Sequence, residues 1–347
     1  MPKTCILICT CDRPEPLRQL LSALVPQANE HSCATIIVDN GISSAETVVS
    51  SFQPEMHIVY ERISQPGLVS ARNRAMNLAL ATNPEYLAFI DDDEVPETDW
   101  LSNLIRRVEE TGADFASGPV IPEYTAPPPR WATEGEFFHA SGDSFRTSNL
   151  ILRVSSLPEN ESQWFHHEFN FSGGEDNEFL GRLVANGAVH VVAEAAIVRE
   201  SVPASRMKRR YIWRRGLRDG VAIAQIIALR SRSRTTFAAM VLFRTGAKLG
   251  YALNHLFWSL IAPWRFHCAM ADLVAASGII LRALGVKFVF YGNTKLGPAS
   301  TKRTARKRNS IGYGLVMQTG LQPSGQFESH LSCFEKPTPI PSILKPL

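Results

Sequence analysis

The sequence predicts an α/β protein built on a mostly parallel, doubly wound sheet. Over about the first 200 residues, short apolar runs rich in β-branched residues alternate with segments whose apolar residues recur every three or four positions. Repeated strand–helix units favour parallel strands, because each helix returns the chain to the edge where the previous strand began. Ligands bind to such sheets beyond the carboxyl ends of the strands, so polar residues at those ends are the first candidates for function.

Eight segments have the length and composition of strands. The first five alternate with helical patterns, and the last three follow a loop-rich stretch at Pro122–Phe145. The eight predicted strands are Thr4–Thr10, Ala34–Val38, His57–Tyr60, Tyr86–Ile90, Phe115–Ile121, Ser148–Arg153, Ala188–Val192 and Ala196–Arg199.

Four helices are predicted between these strands. The first, Pro14–Leu24, has a proline at its start, where its missing N–H and fixed φ suit a helix, and its leucines recur with helical spacing. The second and third are Leu68–Ala81 and Thr98–Val108. The fourth opens after Gly173-Gly174 and runs to about Ala185.

The 347 residues divide by composition into three regions. Residues 1–200 carry the strand–helix pattern, residues 201–292 are basic and then amphipathic, and residues 293–347 are rich in Pro, Ser and Gly, a composition that predicts a disordered tail. The six cysteines form no C-x-x-C pair and no zinc spacing, so reduced thiols are expected. The N-terminus lacks the pattern of a secretory signal, which predicts a cytoplasmic protein.

The second region combines positive charge with amphipathic, aromatic stretches. Between Arg199 and Arg234 there are eleven bases and two acids, a local net charge of +9. No run reaches about 18 consecutive apolar residues, and uncharged Leu249–Trp264 is short for a span, so no spanning helix is expected. Two interpretations stay open: attachment to an anionic membrane surface, or a helical subdomain packed on the sheet with a solvated basic face. The aromatic residues suited to a membrane interface are Phe257, Trp258, Trp264 and Phe266.

Four consecutive acids, Asp91–Glu94, follow the apolar run Tyr86–Ile90. Adjacent carboxylates repel one another, and each loses hydration where it is partly buried. A divalent cation would relieve this repulsion, and oxygen-only ligands suit Mg²⁺ or Mn²⁺. The alternative is a solvated acidic turn at the exit of the strand.

Three other places carry polar residues where a ligand could bind. Asp39 ends the second predicted strand and is equally suited to cap a turn or helix. Arg72 and Arg74, two apart on a helix, point to different sides, so one can face a ligand while the other is solvated. Glu175-Asp176 opens a helix, where carboxylates are favoured by the helix dipole and where one could also act as a general base.

Together these motifs resemble the family 2 glycosyltransferases of the GT-A fold. The resemblance covers about residues 4–200. Other segments are similar to the succinoglycan-type glucosyltransferases within that family, and they include Ala126–Trp131, Thr147–Arg153 and Glu200–Pro203. The motifs that carry the resemblance are Cys9–Pro14, Ile37–Asn40, Ser70–Asn73, Phe89–Glu94 with Trp100-Leu101, and Gly173–Phe179.

The resemblance implies a role for each matching residue. Asp93, supported by Asp91, would hold Mg²⁺ or Mn²⁺, and Asp176, with Glu175 beside it, would be the catalytic base. The residues expected to bind the sugar nucleotide are Thr10, Asp39, Arg72, Asp91 and Asp92. The residues expected to contact the diphosphate or the acceptor are Arg209, Arg210 and Trp213, although Tyr211–Arg215 only partly matches the Gln-x-x-Arg-Trp motif of processive members.

The resemblance also implies an inverting transfer of a sugar, glucose in the nearest relatives, from a UDP-sugar to a lipid-linked saccharide in bacterial exopolysaccharide biosynthesis. The protein would then be cytoplasmic and peripherally associated with the inner membrane, and no nucleic acid partner is expected. One alternative is a sugar nucleotidyltransferase, but the loop Thr10–Pro14 lacks the Gly-rich, basic composition of that class. Another is a non-catalytic protein that binds membrane surfaces, which would leave the two acidic sites without a role.

Overall fold

The computed structural model describes residues 3–290 and contains two sheets. The larger sheet has seven strands and the smaller has three. The strands are β1 (Thr4–Thr10), β2 (Ala34–Asp39), β3 (Ile58–Arg62), β4 (Tyr86–Ile90), β5 (Glu94–Pro96), β6 (Phe115–Ser117), β7 (Val120–Tyr124), β8 (Asn149–Arg153), β9 (His190–Val192) and β10 (Val198–Val202). Their order is β3-β2-β1-β4-β8-β6-β9 in the larger sheet and β5-β10-β7 in the smaller.

The larger sheet is mostly parallel, which confirms the predicted class. β1 pairs in parallel with β2 and β4, and β2 pairs in parallel with β3. β8 is the exception, because it runs antiparallel to both β4 and β6. The strand order reverses at β1, so the carboxyl ends of β1, β2 and β4 lie at the switch point where such sheets bind ligands.

The described part of the chain has nine α-helices. They are α1 (Pro14–Glu30), α2 (Glu46–Phe52), α3 (Leu68–Leu80), α4 (Trp100–Thr111), α5 (Arg130–Glu134), α6 (Glu175–Ala185), α7 (Arg209–Arg230), α8 (Arg234–Trp258) and α9 (Arg265–Ala283). The predicted Pro14–Leu24 helix therefore continues two turns further, through Pro26, in the structure.

The prediction of one strand over Phe115–Ile121 is wrong. The segment forms β6 in the larger sheet and β7 in the smaller one, with Gly118 and Pro119 between them. Asn149 fills the break, because its Nδ2 donates to the carbonyl oxygens of Pro119 at 3.0 Å and Ala196 at 2.7 Å. Any side chain at position 118 would collide with the Ala196 carbonyl, since an added Cβ would lie 1.9 Å from that oxygen.

Apolar cores cover both faces of the larger sheet, as the doubly wound class requires. On one face, Leu17 and Leu21 of α1 and Trp100 of α4 pack with Ile6 and Ile8 of β1. On the other face, α3 and α6 pack against alternate residues of the same strands. Because successive side chains of a strand point to opposite faces, β1 contributes to both cores and is almost fully buried.

The three C-terminal helices pack through small residues and one ion-pair network. α7 and α9 approach so closely that a Cβ on Gly220 would lie 2.0 Å from the carbonyl oxygen of Ala275. α8 is joined to α9 by Asp272, which contacts Lys248 Nζ at 2.7 Å and His255 Nδ1 at 3.0 Å. Of the helices in the described chain, α9 alone is long and apolar enough to cross a membrane, and a third of it is buried.

The predicted division of the chain remains a prediction. β10 extends to Val202 and α7 begins at Arg209, so the basic and amphipathic region predicted over 201–292 contains α7, α8 and α9 as far as residue 290. The predicted tail, 293–347, lies outside the described residues.

Candidate active site

Arg72 brings the two predicted acidic sites together at the carboxyl edge of the larger sheet. One of its guanidinium nitrogens, Nη1, donates to Glu175 at the start of α6, and Nη2 lies 3.5 Å from Asp91 Oδ1 after β4. The side chain is 7% exposed and lies over the ring of Phe165, with 5.7 Å between the guanidinium carbon and the ring centroid. Arg74 points outward and pairs with Glu61 on the exposed side of α3, as the helical spacing predicts.

The turn before α3 fixes the position of Arg72. Gly67 has a φ of 104°, which non-glycine residues rarely adopt, and its carbonyl accepts a hydrogen bond from Asn40 Nδ2 at 2.8 Å. Asn170 completes the turn, because its Oδ1 accepts from Ser70 N at 3.1 Å and its Nδ2 donates to Pro66 O at 2.9 Å. α3 is therefore tied to the ends of β2 and to the segment that precedes α6.

Two acids of the run, Asp92 and Glu94, are buried and bonded within the protein. Asp92 accepts hydrogen bonds from Thr10 Oγ1 at 2.7 Å and from Arg13 Nη1 at 2.9 Å, and burial nevertheless raises its pKa to about 6. Glu94 Oε2 accepts from the backbone N–H of Asp91 at 3.1 Å, and burial raises the pKa of Glu94 well above its ordinary value. Both contacts hold the turn in shape, so Asp91 and Asp93 are the acids that remain more accessible.

Asp93 is held by two arginines. Its Oδ2 lies 2.9 Å from Arg13 Nη1 and 3.0 Å from Arg206 Nη2, and Arg206 also pairs with Glu200 of β10. Arg206 belongs to the connection between β10 and α7, so this contact links the C-terminal helical region to the acidic run. In this structure the two guanidiniums offset the negative charge of Asp93. A divalent ion would add positive charge at the same place, and a diphosphate would add negative charge.

The side chains of Asp91 and Asp93 suit a hard divalent ion whose remaining ligands come from substrate phosphates and water. Both offer carboxylate oxygens, and Asp91 is 43% exposed on the open side of the turn. Over residues 3–290, no group of three or more His, Cys, Asp or Glu side chains is arranged to hold a metal. Mg²⁺ is commonly held by one or two carboxylates together with substrate phosphates and water, so Asp91 and Asp93 remain the predicted ligands.

Glu175 and Asp176 have different environments at the start of α6. Glu175 is buried against Arg72, its second oxygen, Oε2, has no hydrogen-bond partner in the described structure, and burial raises its pKa. Asp176 is half-buried, and its Oδ1 accepts from the N–H of Asn177 at 2.8 Å. Gly174, with a φ of 93°, starts the helix where a Cβ would lie 2.5 Å from Ala222 of α7. Of the two acids, Asp176 is the more exposed.

Asp39 organises the loop after β2. The side chain is fully buried, with Oδ1 accepting from Gly41 N at 2.8 Å and Oδ2 from Ala45 N at 2.8 Å and Tyr60 Oη at 2.9 Å. Because Ala45 immediately precedes α2, the carboxylate supports both a turn and a helix start, as one of the two sequence interpretations expects. Its predicted contact with the nucleotide base remains a prediction.

The three residues of α7 predicted to contact the diphosphate or acceptor differ in exposure. Arg209 and Arg210 are exposed in the first turn, while the Nε1 of Trp213 is buried and has no hydrogen-bond partner among the described residues. Their predicted contacts with diphosphate or acceptor remain predictions.

Sequence reasoning missed three arginines beside the acids: Arg13, Arg146 and Arg206. Two of them lie in segments that the sequence marks, Arg13 inside the Cys9–Pro14 motif and Arg206 inside the basic run. Arg146 lies in no motif and no charged run. Burial and the neighbouring Arg215 lower its pKa, while Asp176 opposes that shift. It therefore places positive charge near the candidate base.

Comparison with known proteins agrees with this geometry. Residues 5–161 match the family described as Glycosyl transferase family 2. The succinoglycan biosynthesis protein ExoM of Rhizobium meliloti is 29% identical over 295 residues, which cover 81% of this chain and 92% of ExoM. Glycosyltransferase AglE of Haloferax volcanii is 26% identical over 55% of this chain and 60% of its own length.

A solved structure shares the fold. The mannosyltransferase PcManGT of Pyrobaculum calidifontis, in complex with GDP-Man and Mn²⁺, superposes with a TM-score of 0.53 at 14% identity, covering 82% of this chain and 87% of its own. The predicted GT-A architecture is thereby confirmed. Residues 5–161 are therefore a domain of glycosyl transferase family 2, and the protein is a glycosyltransferase.

Proposed function

We propose that the protein transfers a sugar, with inversion, from a UDP-sugar to a lipid-linked saccharide acceptor during bacterial exopolysaccharide assembly. The observation that carries the proposal is the contact of Arg72 with both Asp91 and Glu175. It places the acidic run, where a sugar nucleotide would bind, beside the acids that would serve the acceptor. A nucleotidyltransferase or a passive surface protein has no use for a candidate base at that position.

Asp176 is the proposed general base. An acceptor hydroxyl must lose its proton as its oxygen attacks the anomeric carbon, and a carboxylate within hydrogen-bond reach can take that proton. Among the described residues, the Asp176 side chain accepts hydrogen bonds only from Asn177, whereas Glu175 is engaged by buried Arg72. The attack comes from the face opposite the leaving diphosphate, so one displacement inverts the configuration and no covalent nucleophile is needed.

Asp93 and Asp91 are the residues proposed to hold Mg²⁺ or Mn²⁺. When bound, the ion would supply electrostatic stabilisation to the negative charge that develops on the leaving diphosphate. Arg13 and Arg206 contact the same Asp93 oxygen, so both guanidiniums lie where they can bind phosphate oxygens once that carboxylate turns toward the ion. The complex of PcManGT with GDP-Man and Mn²⁺ supports a sugar nucleotide and a divalent ion as partners.

The acceptor and pathway are proposed from the likeness to ExoM. ExoM is named as a succinoglycan biosynthesis protein, and the match extends over 81% of this chain, well beyond the nucleotide-binding half. The basic and amphipathic region of the chain favours an acceptor held at an anionic membrane, so we propose that the acceptor is lipid-linked and that the enzyme works at the cytoplasmic surface of the inner membrane. Glucose is the sugar that the likeness to ExoM favours.

A screen of UDP- and GDP-sugars for metal-dependent hydrolysis tests the proposal. We expect release of sugar from a UDP-sugar in Mg²⁺ or Mn²⁺, loss of the reaction on chelation, and loss in Asp93→Ala. Hydrolysis that survives chelation, or full activity in Asp93→Ala, would contradict the metal assignment. Failure to bind or hydrolyse any sugar nucleotide, with or without metal, would contradict the proposed donor class.

A further inference from the structure

The outward face of α8 exposes a series of large apolar side chains that the described chain leaves uncovered. Of its 25 residues only Thr245 and Ala252 are buried. Leu242 is 73% exposed, Leu253 68% and Phe257 66%, and the turn that follows continues the surface with Leu260 at 85% and Ile261 at 77%. We define the α8 ridge as Leu242, Leu249, Leu253, Leu256 and Phe257, which share one side of the helix at spacings of 7, 4, 3 and 1 residues.

The charge around the ridge has one sign. From residue 230 to residue 290 the chain has eight bases and a single acid, Asp272. That acid is turned inward, between Lys248 and His255 of α8, so its charge is neutralised where α8 meets α9. The bases are Arg230, Arg232, Arg234, Arg244, Lys248, Arg265, Arg282 and Lys287.

We propose that the α8 ridge inserts into the interfacial zone of an anionic lipid bilayer, with α8 lying in the plane of the membrane. Apolar side chains gain by leaving water, and each base near an anionic surface adds attraction, so both features favour the same partner. A second copy of the chain fits less well, because pairing two such regions would bring bases against bases, and their single acid, Asp272, is already paired with Lys248 and His255. The inference deepens the proposed function and rests on it for its purpose, since a lipid-linked acceptor lies at that surface.

The contacts of α8 favour an orientation in the plane over a crossing. Its inward side carries Lys248 and His255, which are held by Asp272 of α9, and α9 in turn is packed against α7 through glycine and alanine. For either helix to cross the bilayer alone, these charges would have to leave their pairing. The arginines nearer the active site contribute less than their number indicates, because Arg206 pairs with Asp93 and Glu200 and Arg215 donates to the carbonyl of Phe137.

Vesicle sedimentation of the full-length protein tests the inference. The vesicles are phosphatidylcholine alone or phosphatidylcholine with phosphatidylglycerol, each at low and high salt. We expect binding to the anionic vesicles that weakens with salt, and a partition coefficient lowered by more than about tenfold in Leu249→Ser/Leu253→Ser. Val189→Ser is the matched control, because Val189 is 52% exposed on the α/β body and should leave binding unchanged.

Two results would overturn the inference. One is equal partitioning of the wild type and the ridge variant. The other is a wild type that ignores vesicles and sediments as a dimer which the ridge substitutions dissociate, since the ridge would then join two copies. Hydrolysis of the sugar nucleotide without vesicles is measured in parallel: its loss in the wild type would count against the proposed function alone, while the vesicle result still decides the docking surface.

Discussion

At the scale of single residues, Arg72 holds the candidate site together. Its partner Glu175 is buried, and a buried charge that loses its counter-charge costs far more than the pair contributes while intact. Arg74, two residues along the same helix, makes an equally well-formed pair with Glu61 on the surface. The two arginines therefore offer a comparison in which helix and residue type are constant and only burial differs.

We expect Arg72→Met to lower the free energy of unfolding by about 3–5 kcal/mol, because it leaves Glu175 uncompensated. Arg74→Met should cost no more than about 1 kcal/mol, as exposed pairs do. Urea unfolding of both variants measures the difference. Adding Glu175→Gln to Arg72→Met should recover part of the loss, and an equal effect of the two single substitutions would show that the buried pair has no special role.

The pKa of Asp92 predicts a pH dependence of stability. Burial raises it to about 6 in the folded protein, whereas an unfolded aspartate has a pKa of about 3.9. Between these values the folded chain keeps a proton that the unfolded chain releases, so this contribution to stability is complete below about pH 4 and is lost as the pH rises to about 6.

We therefore expect the stability of the wild type relative to Asp92→Asn to fall between pH 4 and pH 6, by roughly 1 kcal/mol per pH unit. Urea unfolding curves of both proteins across this range measure it. Because other buried acids are common to both proteins, the difference isolates Asp92. A difference that stays constant with pH would mean that Asp92 ionises in the folded chain as it does in the unfolded one.

At the scale of elements, the close contact of α7 with α9 connects the helical region to the site. α7 carries Ala222, which packs over Gly174 at the start of α6, and α9 is seated on α7 by glycines that bring the helix backbones together. α7 therefore contacts both α9 and the start of α6, where the candidate base lies. The same packing buries about a third of the apolar helix α9.

Two glycine substitutions separate packing from helix propensity. In Gly220→Ala the new Cβ would lie 2.0 Å from the Ala275 carbonyl oxygen, so we expect a loss of thermal stability in spite of the better helix former. Gly246 of α8 has no neighbour within 4 Å of an added Cβ, so Gly246→Ala should stabilise by about 0.5–1 kcal/mol. Thermal unfolding measures both. Stabilisation by Gly220→Ala would show that α7 and α9 are less closely packed.

At the scale of the whole molecule, the sequence predicted what local patterns encode. β1 and β4 have the predicted bounds, since continuous apolar runs ended by polar residues mark buried parallel strands, and the acidic run falls at the edge where ligands bind. The antiparallel direction of β8 and the division of Phe115–Ile121 depend on which strands become neighbours. A single segment carries no information about that pairing.

The site was predictable to the extent that its motifs lie within one segment each. Asp91, Arg72 and Glu175 each stood out at a strand end or helix start, and the structure brings them into contact. The contact of Arg206 with Asp93 spans more than a hundred residues and joins two regions of different composition. Arg146 comes near Asp176 only through the packing of a loop without periodicity, so nothing local marks it.

The central claim is that Asp176 removes the proton from the attacking acceptor hydroxyl, or from the water that attacks in its place during hydrolysis, at a site that Arg72 assembles. The rate of sugar release from the best UDP-sugar, compared between the wild type and Asp176→Asn, tests it most directly. We expect the rate to fall by about 10²-fold or more while the affinity for the UDP-sugar and the free energy of unfolding stay close to those of the wild type. A folded Asp176→Asn protein that releases sugar at the wild-type rate would contradict the account.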